Sequence, residues 1–350
     1  MSKYICFQQL KDLGFRAEAY PHTLHFKRPS GTSRGTLKER PGVFISLNNG
    51  PREQFGEFGP LEGLSPDWSN SPLDQVIPSI QAFNTGNEKA FWEALRNNPG
   101  LVFAWEMGSI GALTTEKGFF FDSPFARGTK GIPMNGLIWM GSREYQEEQV
   151  QQKIKEGFQI LKFKVGQHRL EDDLDLLRWV RSLAEGPNLE IRLDANGAFT
   201  ASEAVENLHR LAEWNIHSIE QPIAPKQWNA LGNIIKDSPI PIALDEELIG
   251  VENRMELLNA LMPPYLILKP MLLGGLAACD AWIEAAHEKG IRWWSTSMLE
   301  SNIGLEFIAQ WVATQNNPLP QGLGTGALYE NNFGTALEIR GAEMWRKADH

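Results

Sequence analysis

Residues 189–248 read LEIRLDANGAFTASEAVENLHRLAEWNIHSIEQPIAPKQWNALGNIIKDSPIPIALDEEL. Three short apolar runs, LEIRLDAN, HSIEQPI and PIALDEEL, are separated here by helical stretches, and each carries a carboxylate at its end: Asp194, Glu220 and Asp245. The segment from Thr200 to Trp214 opens with Thr200 and Glu203 at capping-box spacing and sets Val205, Leu208 and Leu211 at helical spacing. Strand and helix alternating in this way predict a parallel sheet.

The pattern continues outward. NGLIWMG (135–141), ILKFKVG (160–166), YLILKP (265–270), RWWSTSM (292–298) and GLGTG (322–326) raise the strand-like runs to eight, most of them followed by a helix. One such helix, EDDLDLLRWVRSLAEG (171–186), starts acidic, turns basic and ends at Gly186, as the helix dipole and the C-cap prefer. Eight units predict a (β/α) barrel rather than an open sheet, with the active site at the carboxyl ends of the strands. Before about residue 110, strand-like FRAEAYPHTLHF and GVFISL mix with helix-like SPLDQVIPSIQAFN and EKAFWEALRNN, which predicts a small α+β unit.

Composition narrows the function. With 350 residues, 42% of them hydrophobic, the chain can bury a substantial core. A net charge of -10 argues against nucleic acid as a partner, so an anionic substrate must find its positive charge locally. Two distant cysteines, Cys6 and Cys279, exclude a disulfide framework and a Cys-rich zinc site and read as free thiols. The opening MSKYICFQQLKDLGF lacks the apolar run of a secretory signal, and no stretch reaches the roughly 18 apolar residues of a membrane span. The expectation is a cytoplasmic enzyme with no membrane partner; oligomeric state is not legible.

Asp194, Glu220 and Asp245 lie 26 and 25 residues apart, about one βα unit each, so they converge on one rim of the barrel. Any one of them alone could be a turn or N-cap residue. Three together repel unless a cation sits between them, and hard oxygen ligands suit Mg²⁺. Glu246 and Glu247 follow directly; one of them could pair with a lysine behind the site, while Glu247 reads equally well as a solvated charge.

Lys162 and Lys164, two apart on one strand, share a face, with Leu161, Phe163 and Val165 on the other. Lys269 ends the sixth strand, across the barrel from the second, which places ammonium groups on opposite sides of a substrate. Removing a proton next to a carboxylate builds enediolate charge, which a divalent metal and an ammonium stabilise. A lysine acts as base only when its pKa falls, and a neighbouring lysine and a metal push it that way. Taken singly, these lysines would read as structural ion pairs or rim residues.

The order KxK (162–164), DAN (194–196), EQP (220–222), DE (245–246) and KP (269–270) resembles the muconate lactonizing enzyme subgroup of the enolase superfamily over most of the chain. The resemblance implies an α/β fold in which an N-terminal α+β capping domain (1–110), to which the C-terminal tail returns, covers a modified TIM barrel, (β/α)7β (111–330). It implies Mg²⁺, or Mn²⁺, on Asp194, Glu220 and Asp245, with Lys164 and Lys269 as the acid/base pair and Lys162 tuning Lys164. Asn196, Glu246, Ser297, Ser301, Gly324 and Thr325 would support the site or touch the substrate. RPSGTSRGTLKERPGVFISL (28–47) and FGEFGPLEGLS (55–65) are similar to the family's cap, which places Phe55, Gly56, Glu57 and Pro60 near its loops and a mobile stretch near residues 28–36.

Departures select among branches. STSMLESNIG (295–304) lacks the histidine base of mandelate racemase-like enzymes, and His22 and His25 fall outside the motifs, as surface or core residues. GLGTGALYENN (322–332) has Gly324, Thr325 and Gly326 where dipeptide epimerases place acids, which disfavours a free-amine substrate. STSMLESNIG is similar to the Ser-rich stretch of the o-succinylbenzoate synthase branch, with Met298 and Asn302 in place of serines. That implies syn-dehydration of a small carboxylate, 2-succinyl-6-hydroxy-2,4-cyclohexadiene-1-carboxylate, in menaquinone biosynthesis. The alternative is an N-acylamino acid racemase using both Lys164 and Lys269; a noncatalytic relative would lack a motif residue, and none is missing.

Overall fold

The computed structural model describes residues 2–32, 35–116, 118–167 and 169–347. The stretch expected to be mobile, near residues 28–36, runs across residues 33 and 34, which lie outside the described residues. After a short helix (Phe7–Asp12) come three antiparallel strands, β1 (Arg16–Thr32), β2 (Gly35–Asn48) and β3 (Glu53–Phe58), in that order across the sheet. Helix Pro99–Leu113 packs on them and, on its other side, on helices Pro270–Leu273 and Gly275–Glu288 of the second sheet's layer. It is apolar all round because it is covered on both sides. Gly56 permits the contact: a Cβ there would lie 1.8 Å from the Ala104 carbonyl oxygen.

After the short β4 (Ile132–Pro133), seven strands run parallel in chain order: β5 (Gly136–Ile138), β6 (Ile160–Lys164), β7 (Glu190–Asp194), β8 (Ile216–Glu220), β9 (Ile242–Leu244), β10 (Tyr265–Leu268) and β11 (Arg292–Ser295). The eighth run forms no extended strand, yet it joins the two edges: Gln321 bridges Met134 and Gly322 bridges Thr296, both in parallel sense. The Asn135 amide donates to the Gln321 carbonyl (3.0 Å) and the Gly322 amide to that of Ser295 (2.8 Å), so backbone pairing runs around the whole ring. The curled parallel sheet and the N-terminal antiparallel sheet arrive as the sequence predicts, the eighth strand being reduced to bridges. Leu328 and Glu330 then meet β1, and the hairpin β12 (Leu337–Arg340) and β13 (Glu343–Arg346) pairs with β4.

Alternation decides which side chains face inward. Leu161, Phe163 and Val165 point out into the core between sheet and helices, leaving Lys162 and Lys164 inside. Below them the fully buried Arg192 guanidinium lies 4.3 Å from the Trp294 ring centroid and donates to Glu190 (2.8 Å) and the Pro320 carbonyl (2.9 Å). With Ala243, Tyr265 and Ile267 packed alongside Trp294, the barrel interior beneath the lysines is filled.

Two helix ends differ from expectation. The first helix runs Leu170–Ser182, and Gly186 belongs to a separate 3-10 turn. The second runs Ala204–Ala212: the Thr200 hydroxyl donates to the Glu203 carboxylate (2.6 Å) instead of accepting a backbone N–H, so the capping box does not form. Cys6 and Cys279 are free, and among the described residues no helix is long and apolar enough to cross a membrane.

Candidate active site

The ends of β6 to β10 bring the predicted residues together. Asp194 and Glu220 close β7 and β8, Asp245 follows β9, and one carboxylate oxygen of each lies within 4.8 Å of the others. All three are buried. Lys162 pairs with Glu220 and with Asp194 (3.0 Å), Lys164 lies 3.7 Å from Asp194 and donates to the Asn196 amide oxygen, and Lys269 pairs with Asp245. Asn196 in turn donates to Glu246 (3.0 Å), whose charge also acts on Lys164 and Lys269.

Charge balance separates these groups. Burial pushes the Asp245 carboxyl up to about 7, with Glu246 adding to it, and burial likewise raises Glu220. For Asp194 burial is outweighed by Lys162, Lys164 and Lys269, which hold it below the usual carboxylate range. Lys162 and Lys269 are held above the usual lysine range, their facing carboxylates outweighing burial. Lys164 alone of the three is lowered, by burial first and by Lys162 and Lys269 beside it, against the pull of Asp194. Glu220 Oε1 is buried with no hydrogen-bond partner among the described residues. An orphaned oxygen, a neighbouring carboxyl driven toward protonation and a hard-oxygen donor set all fit a divalent cation between the three acids.

Two residues at the strand ends adopt left-handed backbone: Asn196 (φ 45°) and Gln221 (φ 38°). Asn tolerates this conformation; for Gln it is strained, and tertiary contacts hold it. The Gln221 side chain accepts from the Glu247 amide (3.1 Å) and donates to the Ile223 carbonyl (2.9 Å), tying the end of β8 to that of β9. Glu247 is buried, not solvated: it accepts from the Lys226 amide (2.8 Å) and the Trp228 indole (2.9 Å). Sequence reasoning placed the EQP motif but missed this bracing role of its middle residue.

Above the acids opens a cavity of about 480 Å³. Ser297, Gly324 and Thr325 line it, as does Asn196, but Ser301 does not. Ser301 is buried behind the wall and donates to Glu57 of β3, which also pairs with Arg40 of β2 (2.8 Å). Glu57 thus lies at a joint between the N-terminal sheet and the barrel, beneath the loops rather than on them. Thr325 donates to Ser297 and Ser297 to Glu300, each over 2.7 Å. From the N-terminal part, Thr36 and Leu37 and the segment Leu61–Leu64 cover the cavity, and Trp139 stands at its side. Sequence alternation pointed to the barrel residues; no periodic signal marks covering loops that come from a distant sheet. His22 stacks on Phe44 (4.1 Å) and His25 faces Glu39 (3.3 Å), away from the site.

The chain is similar to known proteins over most of its length. Residues 146–347 match the model of the family described as enolase C-terminal domain-like. The chain is 40% identical to an o-succinylbenzoate synthase of Desulfotalea psychrophila over 91% of its own length and 95% of the relative's. Its fold superposes on the crystal structure of MenC from that organism with a TM-score of 0.83 and 36% identity, covering 95% of this chain and 99% of the other. The L-Ala-D/L-Glu epimerase of Bacillus subtilis, at 19% identity and a TM-score of 0.82 over 95% of both chains, shares the fold alone.

Proposed function

The chain belongs to the enolase superfamily, and from that premise we propose that it is a metal-dependent o-succinylbenzoate synthase, a lyase that dehydrates 2-succinyl-6-hydroxy-2,4-cyclohexadiene-1-carboxylate to 2-succinylbenzoate in menaquinone biosynthesis. The observation that carries it is the inequality of two lysines flanking one acidic set. Lys164 contacts a neutral amide and is lowered, whereas Lys269 is held charged by Asp245. One lysine shifted toward its base form and one held as a cation suit an elimination on a single face.

Asp194, Glu220 and Asp245 would hold Mg²⁺, with Mn²⁺ as alternative, and the ion when bound would supply electrostatic stabilisation of the charge that builds on the substrate carboxylate. Lys164 takes the proton alpha to that carboxylate. The resulting ammonium then returns the proton to the departing hydroxyl on the same face; the C–O bond breaks, water leaves and the ring becomes aromatic. Lys269 faces the opposite side as a fixed positive charge, and Lys162, locked between Asp194 and Glu220, keeps Lys164 depressed. Residues 1–110 would act as the cap and 111–330 as the catalytic barrel, in a cytoplasmic protein.

The test is direct. Purified protein with Mg²⁺ should consume the cyclohexadiene's absorbance, and no turnover would refute the assignment. Exchange of the α-proton of N-succinyl amino acids in D₂O, with loss of optical rotation, would instead support the racemase.

A further inference from the structure

On the side of the barrel away from the acids, two buried polar groups have no partner. Thr296, just past β11, is 5% exposed and Asn135, just before β5, is 2% exposed, yet neither the Thr296 hydroxyl nor the Asn135 Oδ1 has a hydrogen-bond partner among the described residues. Both line the cavity that holds the lysines. Between them sits Gly322, where a Cβ would fall 2.5 Å from Thr296 Cγ2 and 3.5 Å from Asn135 Oδ1. The missing side chain leaves a notch with these two groups at its edges.

Ring order places the notch. Residues 321–322 join β5 to β11, so Gly322 stands across the barrel from β8, whose last residue is Glu220. A molecule with one end at the acids reaches this wall with the other. The neighbouring hydroxyls are already committed, because Thr325 donates to Ser297 and Ser297 to Glu300. Burying an amide oxygen and a hydroxyl without partners is costly, and in a cavity wall a ligand supplies the missing partner.

We propose that Asn135 and Thr296 form the recognition site for the oxygens of the substrate's distal acyl arm, with Gly322 keeping the notch open. The inference rests on the reading above that this arm is a succinyl group. The unpartnered Asn135 atom, Oδ1, is an acceptor; a half-turn about Cβ–Cγ exchanges it for the Nδ2 group, and an N–H there, with the Thr296 O–H, donates to the oxo and carboxylate oxygens of such an arm. The ring carboxylate then lies at the acids, and arm length, rather than ring chemistry, is read at the notch.

The experiment measures binding of 2-succinylbenzoate and of benzoate to metal-loaded protein by calorimetry, for wild type, Asn135→Leu, Thr296→Val and Thr296→Ser. Wild type should prefer 2-succinylbenzoate. Asn135→Leu and Thr296→Val should each weaken that ligand by about tenfold or more while leaving benzoate within about twofold, and Thr296→Ser, which keeps the hydroxyl, should retain the preference. Variants that lose both ligands equally, or neither, overturn the proposal while the synthase reading stands. A wild type without any preference overturns the succinyl arm itself, and with it both readings.

Discussion

Lys162 and Lys164 are two residues apart and share one face, yet their surroundings give them opposite tendencies. Lys162 lies between two carboxylates, while Lys164 reaches past Asp194 to an amide. Replacing Lys164 by Ala should therefore lower kcat by about 10³-fold or more, measured as loss of the cyclohexadiene absorbance, with 2-succinylbenzoate still bound. Lys269→Arg keeps a cation opposite the base and should retain partial dehydratase activity; near-complete loss would point to a two-base enzyme. The pairing of two lysines on one face was legible from alternation. Their division into base and tuning neighbour followed from the family resemblance; the contact of Lys164 with Asn196 was not legible, because Asn196 arrives from another strand.

Among the elements, helix Pro99–Leu113 joins the N-terminal sheet to the barrel layer. Its Glu106 is fully buried and accepts from the backbone amides of Leu276 and Ala277 at the start of helix Gly275–Glu288, and from Ser2. Burial pushes this carboxyl up to about 7, against those hydrogen bonds. Since the folded value lies above the unfolded one of 4.5, the folded state holds the extra proton between them. The contribution to stability is full below the unfolded value and is lost as pH rises through about 7. Between pH 5 and 8, wild type should lose up to ~3 kcal/mol relative to Glu106→Gln, read from urea unfolding at each pH. On the opposite face of the helix, Gly56→Ala would drive a methyl into the Ala104 carbonyl; because backbone must move, the expected cost is about 1–3 kcal/mol or more, seen as a lower urea midpoint. The apolar composition of this helix was readable in sequence, but not the two surfaces that cover it.

Across the whole molecule, the cap meets the barrel through charge. Arg40 and Glu57 are fully buried, 2.8 Å apart, and Glu57 also receives the Ser301 hydroxyl and the amides of Ser301 and Gly304. Arg40 outweighs burial and holds the Glu57 carboxyl below its usual range. Arg40→Met leaves that carboxylate buried and unpaired, so unfolding stability should fall by about 3–5 kcal/mol. Chelation acts on the acids at the same end of the barrel: removing divalent ions restores repulsion among Asp194, Glu220 and Asp245, and Tm should fall and recover when Mg²⁺ is added back.

Periodicity, strand-end carboxylates and paired lysines were local in the chain, and from them the barrel, its catalytic rim and five of its motifs could be written down before any coordinates. The closing of the ring by bridges at Gln321 and Gly322 in place of a full eighth strand, the burial of Glu247 and Ser301, the joint between Arg40 and Glu57, and the unpartnered atoms of Asn135 and Thr296 were decided only by tertiary structure. The physical reason is range. A strand's inward face follows from a two-residue repeat, whereas what a side chain meets there depends on neighbours brought from far along the chain, and no short pattern encodes them.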